Sequence, residues 1–199
     1  MHPARAFIET DPDLLRAELA RHPFCVIAAA PRGRPIVAHA PVIAERAGEG
    51  IHLRFHLSVR HALAEHIAEG FDAVAVSLGP EAYVSPDWYG LVDQVPTWNY
   101  VAVEAEGVVA PMGSDDTAVL LDDLSRLMEE PLRPKPPWTR AKMTPGRFEA
   151  MLAGIVGARM AVRRLEGTVK LSQNKPKAAV IGVIDALGAH PIAMRMRRG

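Results

Sequence analysis

The chain has 199 residues, 49% of them hydrophobic, which suits one domain with a buried core and is short for two. Its 23 Lys+Arg balance 23 Asp+Glu, so the formal charge is zero and the basic balance of a dedicated nucleic-acid binder is missing. A single cysteine, Cys25, excludes an intrachain disulfide; no apolar run approaches the roughly 20 residues of a membrane span, and Met1-His2-Pro3-Ala4-Arg5 leads into no signal-like segment, so the expectation is a cytoplasmic protein without membrane contact.

Thr10-Asp11-Pro12-Asp13 reads as a helix start, with Thr10 as N-cap, Leu14, Leu15 and Leu19 at helical spacing, and His22-Pro23 as the end. Residues 24–30 read as a buried strand holding Cys25 as a small hydrophobe, 31–35 as a turn, 36–44 as the partner strand of a hairpin, and 47–50 as a second turn. Across 51–57, Ile51, Leu53, Phe55 and Leu57 share one strand face, while His52, Arg54 and His56 share the other. Residues 59–70 are expected to form a short helix capped by Ser58, and 71–78 a fourth strand. Residues 79–95 read as a long aromatic-rich loop, a length that often carries function. A strand over 98–110 is expected to be interrupted at Gly107. Ser114-Asp115-Asp116 caps a helix whose apolar positions are Leu120, Leu121, Leu124, Leu127 and Met128. Four prolines mark 131–137 as a surface excursion, Thr144-Pro145 opens a short helix, 155–165 returns to strand, and 175–187 is a last helix ended by Gly188.

About six mainly antiparallel strands with peripheral helices point to a β-rich α+β fold, a small barrel, in one domain over 1–199 with a helical extension from about 175. A doubly wound α/β fold fits less well, because strands and helices do not alternate and no Gly-rich phosphate loop follows the first strand.

Four constellations carry candidate chemistry. Ser58-Val59-Arg60-His61 is either an ordinary cap with a solvated arginine or, at a helix N-terminus, a phosphate site. His39, His52 and His56 lie on expected strands; His52 and His56 are about 13 Å apart by strand rise, too far to share a metal, and no Cys/His cluster has zinc spacing. Five of the eleven aromatics fall between positions 83 and 100, where Trp98 and Tyr100 share a face and could cover a planar ring, a subunit interface or plain core. Lys170-Leu171-Ser172-Gln173-Asn174-Lys175 is either a capping loop, with Asn174 as N-cap, or an anion or cofactor clamp. There is no Gly-x-Ser-x-Gly, and hydrolysis by a covalent nucleophile has no motif behind it.

The strings Gly79-Pro-Glu-Ala-Tyr-Val-Ser-Pro-Asp-Trp-Tyr89, Val95-Pro-Thr-Trp-Asn-Tyr100 and Lys170-Leu-Ser-Gln-Asn174 together resemble the PaiB-like family, FMN-binding split-barrel proteins regarded as negative transcriptional regulators. The resemblance extends over nearly the whole chain, including His39-Ala40-Pro41 and Gly154-Ile155-Val156-Gly157. It implies a split β-barrel related to pyridoxamine-phosphate oxidases, with FMN held between the two subunits of a homodimer. On matching positions it implies that His39 and Pro41 lie along the flavin ring and that His56, Ser58 and Arg60 approach the phosphate and ribityl chain. His61 is a further candidate phosphate donor. Trp98, Asn99, Tyr100, Lys170, Ser172, Gln173 and Asn174 would close the site, partly from the other subunit. FMN phosphate carries nearly two negative charges, which suits Arg60 and Lys170. The chain departs from the family at His61-Ala62, where Asn-Pro is usual; loss of that turn-fixing proline is expected to weaken flavin affinity. The resemblance favours a regulator. An FMN-dependent oxidoreductase (a flavin reductase or small-molecule oxidase) and a flavin-storage protein remain alternatives. DNA contact has only two local cationic groups behind it, Arg133, Lys135, Arg140, Lys142 and Arg147, and Arg195, Arg197 and Arg198.

Overall fold

A computed structural model describes residues 3–48 and 50–198; Met1 and His2 of the N-terminal segment, Glu49 of the second expected turn, and Gly199 lie outside the described residues. The elements are β1 (Ile8–Glu9), α1 (Pro12–Arg21), β2 (Phe24–Ala29), β3 (Ile36–Pro41), β4 (Ile43–Ala47), β5 (Gly50–Ser58), β6 (Phe71–Val84), β7 (Thr97–Pro111), α2 (Ser114–Glu129), α3 (Arg147–Leu152), β8 (Ile155–Lys170), α4 (Lys177–Leu187) and α5 (Pro191–Met196). Among the described residues no helix is long and apolar enough to cross a membrane. The chain divides into two compact units, one of Met1–His22, Ser77–Glu104 and Leu165–Gly199, the other of Pro23–Val76 and Ala105–Arg164.

The second unit, the barrel unit, holds β2 to β5 whole and parts of β6, β7 and β8. The sheet runs in the order β3-β2-β6-β7-β8-β5-β4, with β1 off this path on β8, and β1–β8, β2–β3, β2–β6, β4–β5 and β5–β8 all pair antiparallel. β3 and β4 stand at opposite ends of this order, yet Val42 alone separates them in the chain, so the sheet must curl until its ends approach. The fold is therefore a β-rich α+β split barrel, with eight strands rather than about six. Alternation sets the core: Ile51, Leu53, Phe55 and Leu57 of β5 are buried together, as its sequence pattern requires. Cys25 is buried on β2.

α2 packs on the outer face of this sheet. Leu120 and Leu124 cluster with Ile43 of β4, and Gly157 of β8 lets the helix close in, since a Cβ there would lie 2.2 Å from the Thr117 hydroxyl. Its N-cap is Gly113, not a residue of the Ser114-Asp115-Asp116 triplet, and Leu127 and Met128 remain exposed. Arg54, on the outward face of β5, donates to Glu45 of β4 and, at 2.8 Å, to Asp123 of α2. Burial opposes the Arg54 charge, but the hydrogen bonds to Glu45 and Asp123 outweigh it and raise the guanidinium above its ordinary value. The hydrogen bond from Arg54 correspondingly holds the Asp123 carboxyl below its ordinary 3.8. Arg54→Met is expected to cost about 1–3 kcal/mol, because two carboxylates lose charged donors. The Asp123 contribution is present above the unfolded carboxylate value and is lost as pH falls through the lower folded one. Urea titrations should therefore show the gap between wild type and Arg54→Met narrowing below about pH 4.

The first unit holds both ends of the described chain. Asp11, not Thr10, caps α1, accepting from Asp13 N–H (2.8 Å) and Leu14 N–H (3.1 Å), because Pro12 occupies the first helical position. Glu18 is buried and takes hydrogen bonds from Arg21 (2.5 Å) and Arg195 (2.6 Å), tying α1 to α5, a six-residue helix the sequence did not announce.

Several segments depart from expectation. The 36–44 strand breaks at Val42, whose N–H turns to the Pro23 carbonyl. No α-helix forms over 59–70; three-residue turns run through it, with His61 N–H to Ser58 O and Ala64 N–H to His61 O. The cause is local: the His61 ring Nδ1 accepts from Leu63 N–H at 3.1 Å, capturing a donor and fixing a turn. The loop expected over 79–95 begins only after Val84. β2 pairs β6 no further than Val76, so Gly79-Pro80 lies on a strand flank that β2 no longer needs as a ladder partner. β7 runs unbroken through Gly107, and β8 continues to Lys170. Pro176, not Asn174, is the N-cap of α4.

Candidate functional site

In the barrel unit, two of the singled-out residues meet at one cavity. Pro41, the last residue of β3, and His56, on the outward face of β5, line a space of about 510 Å³. The rest of its wall is mainly apolar, from α2 (Leu121, Met128), the excursion that follows it (Trp138) and α3 (Phe148). The excursion is organised rather than slack. The Glu129 carboxylate accepts from Lys135 and, at 2.8 Å, from Trp138 N–H, which places the indole at the rim. The Lys135 hydrogen bond, helped by that from Trp138, holds Glu129 below its ordinary value. Arg140 pairs with Asp122 at 3.2 Å and lies 5.0 Å over the Phe148 ring.

Burial pushes the His56 imidazole below its ordinary 6.5, so the ring is neutral at neutral pH. Its Nδ1 is buried and has no hydrogen-bond partner among the described residues, a demand that costs about 1–3 kcal/mol unless something meets it. His39 is exposed and stacks on Phe24 with centroids 6.4 Å apart. Ser58 and Arg60 are exposed beyond the end of β5, where the Ser58 hydroxyl accepts from Arg60 N–H at 3.3 Å. Without a helix at 59–70, no helix N-terminus adds to an anion site there. His61, with Nδ1 committed to Leu63, has only Nε2 left to offer.

In the other unit, Asn99 and Ser172 meet in the interior. Both are buried, the Asn99 amide lies 2.9 Å from the Ser172 hydroxyl, and Tyr89 OH reaches the same hydroxyl at 2.9 Å. Gln173 spends its amide on the chain, donating to Ala6 O (2.9 Å) and Val169 O (2.6 Å) and accepting from Leu171 N–H (2.7 Å). Lys170 donates to Thr97 Oγ1 at 2.6 Å, and Asn174 lines the same pocket. Trp98 is half-exposed, meets Tyr83 edge-on at 6.2 Å, and with Tyr100 lines a shallow hollow beside Gly79. Sequence reasoning gave no role to Trp138 or Phe148, because their placement depends on how the excursion folds over α2, whereas Lys175 was named as the last residue of the 170–175 run.

Residues 1–164 match the family model described as "Putative FMN-binding domain". The Bacillus subtilis (strain 168) "Protease synthase and sporulation protein PAI 2" is 27% identical over 168 residues, covering 82% of this chain and 78% of that protein. Among solved structures, an FAD- and haem-binding protein from Mycobacterium smegmatis superposes with a TM-score of 0.59 at 18% identity, covering 92% of this chain and 81% of that one. The flavocytochrome Anf3 from Azotobacter vinelandii does so at 0.61 and 14% identity, covering 85% and 72%. At such identities these two likenesses speak for the fold.

Proposed function

The chain belongs to this FMN-binding domain family, and on that premise we propose that it is a cytoplasmic homodimer in which FMN binding serves a regulatory output of the PaiB-like type. FMN is its cofactor, and the residues present fit that group. The cavity has the volume and apolar lining of a small-molecule site. One wall carries the His56 ring with an orphaned polar atom, and that is the observation on which the siting rests. Beyond the end of β5, Arg60 supplies a fixed positive charge on an exposed fork of donors suited to a phosphate.

Bound flavin supplies the redox chemistry. The chain's contribution is positional: Trp138 and Phe148 give the cavity an apolar wall, and neutral His56 offers one hydrogen bond without adding charge. An oxidoreductase remains the second reading, favoured by this cavity, since the chemistry of hydride or electron transfer is the flavin's own. Direct DNA binding has the weaker support, because the chain carries no net positive charge.

FMN titration followed by fluorescence quenching tests the reading. Saturation on the order of micromolar, weakened about tenfold in Arg60→Ala, is the expected result. A folded protein that shows no saturable change would remove the flavin site from this cavity. A salt-sensitive gel shift with promoter DNA would then favour the regulator, and oxidation of reduced nicotinamide the enzyme.

A further inference from the structure

A second pocket, of about 270 Å³, lies wholly within the unit that carries the chain ends, and Lys170, Lys175, Gln94, Thr97 and Tyr89 line it. We propose that it binds a small oxyanion, a phosphate or carboxylate group, between its two lysine ammoniums. Each ammonium has three donors. Lys170 gives one to Thr97 Oγ1 at 2.6 Å, and Lys175 gives one to Gln94 Oε1 at 2.6 Å; both acceptors are neutral. Neither lysine forms an ion pair among the described residues. Instead Lys170 lies 5.8 Å over the Phe7 ring and Lys175 5.3 Å over the Tyr89 ring. Aromatic faces hold a cation in place without neutralising it. Asp93 is the one acid among the lining residues, which leaves the pocket one positive charge in excess.

The two ammoniums also oppose each other. Burial, and then the nearby charge of Lys175, pull Lys170 below its ordinary 10.5. The opposite charge of an anion between them would offset both effects. The frame is built for stiffness: Ser172, between the two lysines in sequence, is buried with φ of 61° and is pinned by Tyr89 and Asn99. A non-glycine residue held in that region persists only where its surroundings over-determine it. The pocket is below the roughly 300–1,000 Å³ of whole-ligand sites, so it suits an anion or an anionic end group, not an entire cofactor. This inference does not rest on the flavin cavity.

The test is titration of the full chain with inorganic phosphate, at constant ionic strength against chloride, followed by melting temperature and amide NMR shifts. The expected result is saturation on the order of 1 mM, with a rise in melting temperature by mass action. Lys175→Met and Lys170→Met should each weaken it about tenfold or more. Lys175→Arg, which keeps the charge, should retain it, and Lys177→Met on the exposed start of α4 should not alter it. Two arms separate the sources of the oxyanion. If phosphate raises the apparent Kd of FMN but not of riboflavin, the pocket takes the flavin's own phosphate. If it affects neither, the pocket serves a separate anionic ligand. No saturable response by about 50 mM, or one equal in wild type and both Met variants, overturns the proposal.

Discussion

Gly107→Ala is expected to cost about 3–5 kcal/mol, enough to remove most of the stability of an ordinary domain. The added Cβ would lie 2.1 Å from the Ala161 carbonyl oxygen, 2.8 Å from its carbonyl carbon and 3.0 Å from Met160 Cγ. The first two are backbone atoms of β8, the neighbour of β7 in the sheet, so no rotamer change relieves the overlap. The two strands would have to part, and β8 is also held along β5 from His52↔Ala161 to Ser58↔Ile155. Relief at one ladder therefore strains the other. Gly50→Ala is the matched control: its nearest neighbour would be the Ala47 carbonyl at 3.7 Å, an ordinary contact, and a change within about 0.5 kcal/mol is expected. Urea denaturation reads both, as a midpoint shift at unchanged slope. A Gly107→Ala protein as stable as wild type would mean that β7 and β8 do not approach this closely.

The same glycine shows where sequence reading stops. Gly107 reads as an interruption because glycine weakens an isolated strand, whereas its tertiary reason is a backbone that passes too near for any side chain. The β2–β3 hairpin and the alternation of β5 were legible because turn residues and a period of two are local signals. Residues 59–70 carry equally local helix signals, a Ser58 cap with Leu63 and Ile67 four apart, and both leucine and isoleucine are indeed buried. What the pattern could not rank was competition: the His61 ring captures the Leu63 amide, and Gly70, at a φ of 73°, closes the segment. Of the candidate site, Pro41 and His56 were named by resemblance and do meet at one cavity. Its outer wall was not legible, since Trp138 reaches the rim only through the hydrogen bonds that Glu129 accepts.

His56→Leu is expected to move stability and flavin affinity in opposite directions. Leucine is apolar and of similar bulk, so it removes the buried Nδ1 that lacks a partner without opening a cavity. The flavin-free protein should gain about 1 kcal/mol, or roughly 2–4 °C in Tm. If the orphaned ring edge is there to meet a ligand, FMN should bind about 5- to 30-fold more weakly to the same variant, the equivalent of one lost hydrogen bond. Acid adds a third readout. The unfolded His56 ring takes up a proton as pH falls through about 6.5, while burial delays that step in the folded chain. The unfolded state then binds more protons, so wild type should lose stability below about pH 6.5, a loss from which the leucine variant is spared. Gain in stability with unchanged FMN affinity would make His56 a tolerated defect of the outer barrel face and move the flavin elsewhere. Loss on both counts would mean that the ring holds the cavity wall through its packing, and that Nδ1 finds its partner in the folded protein without a ligand.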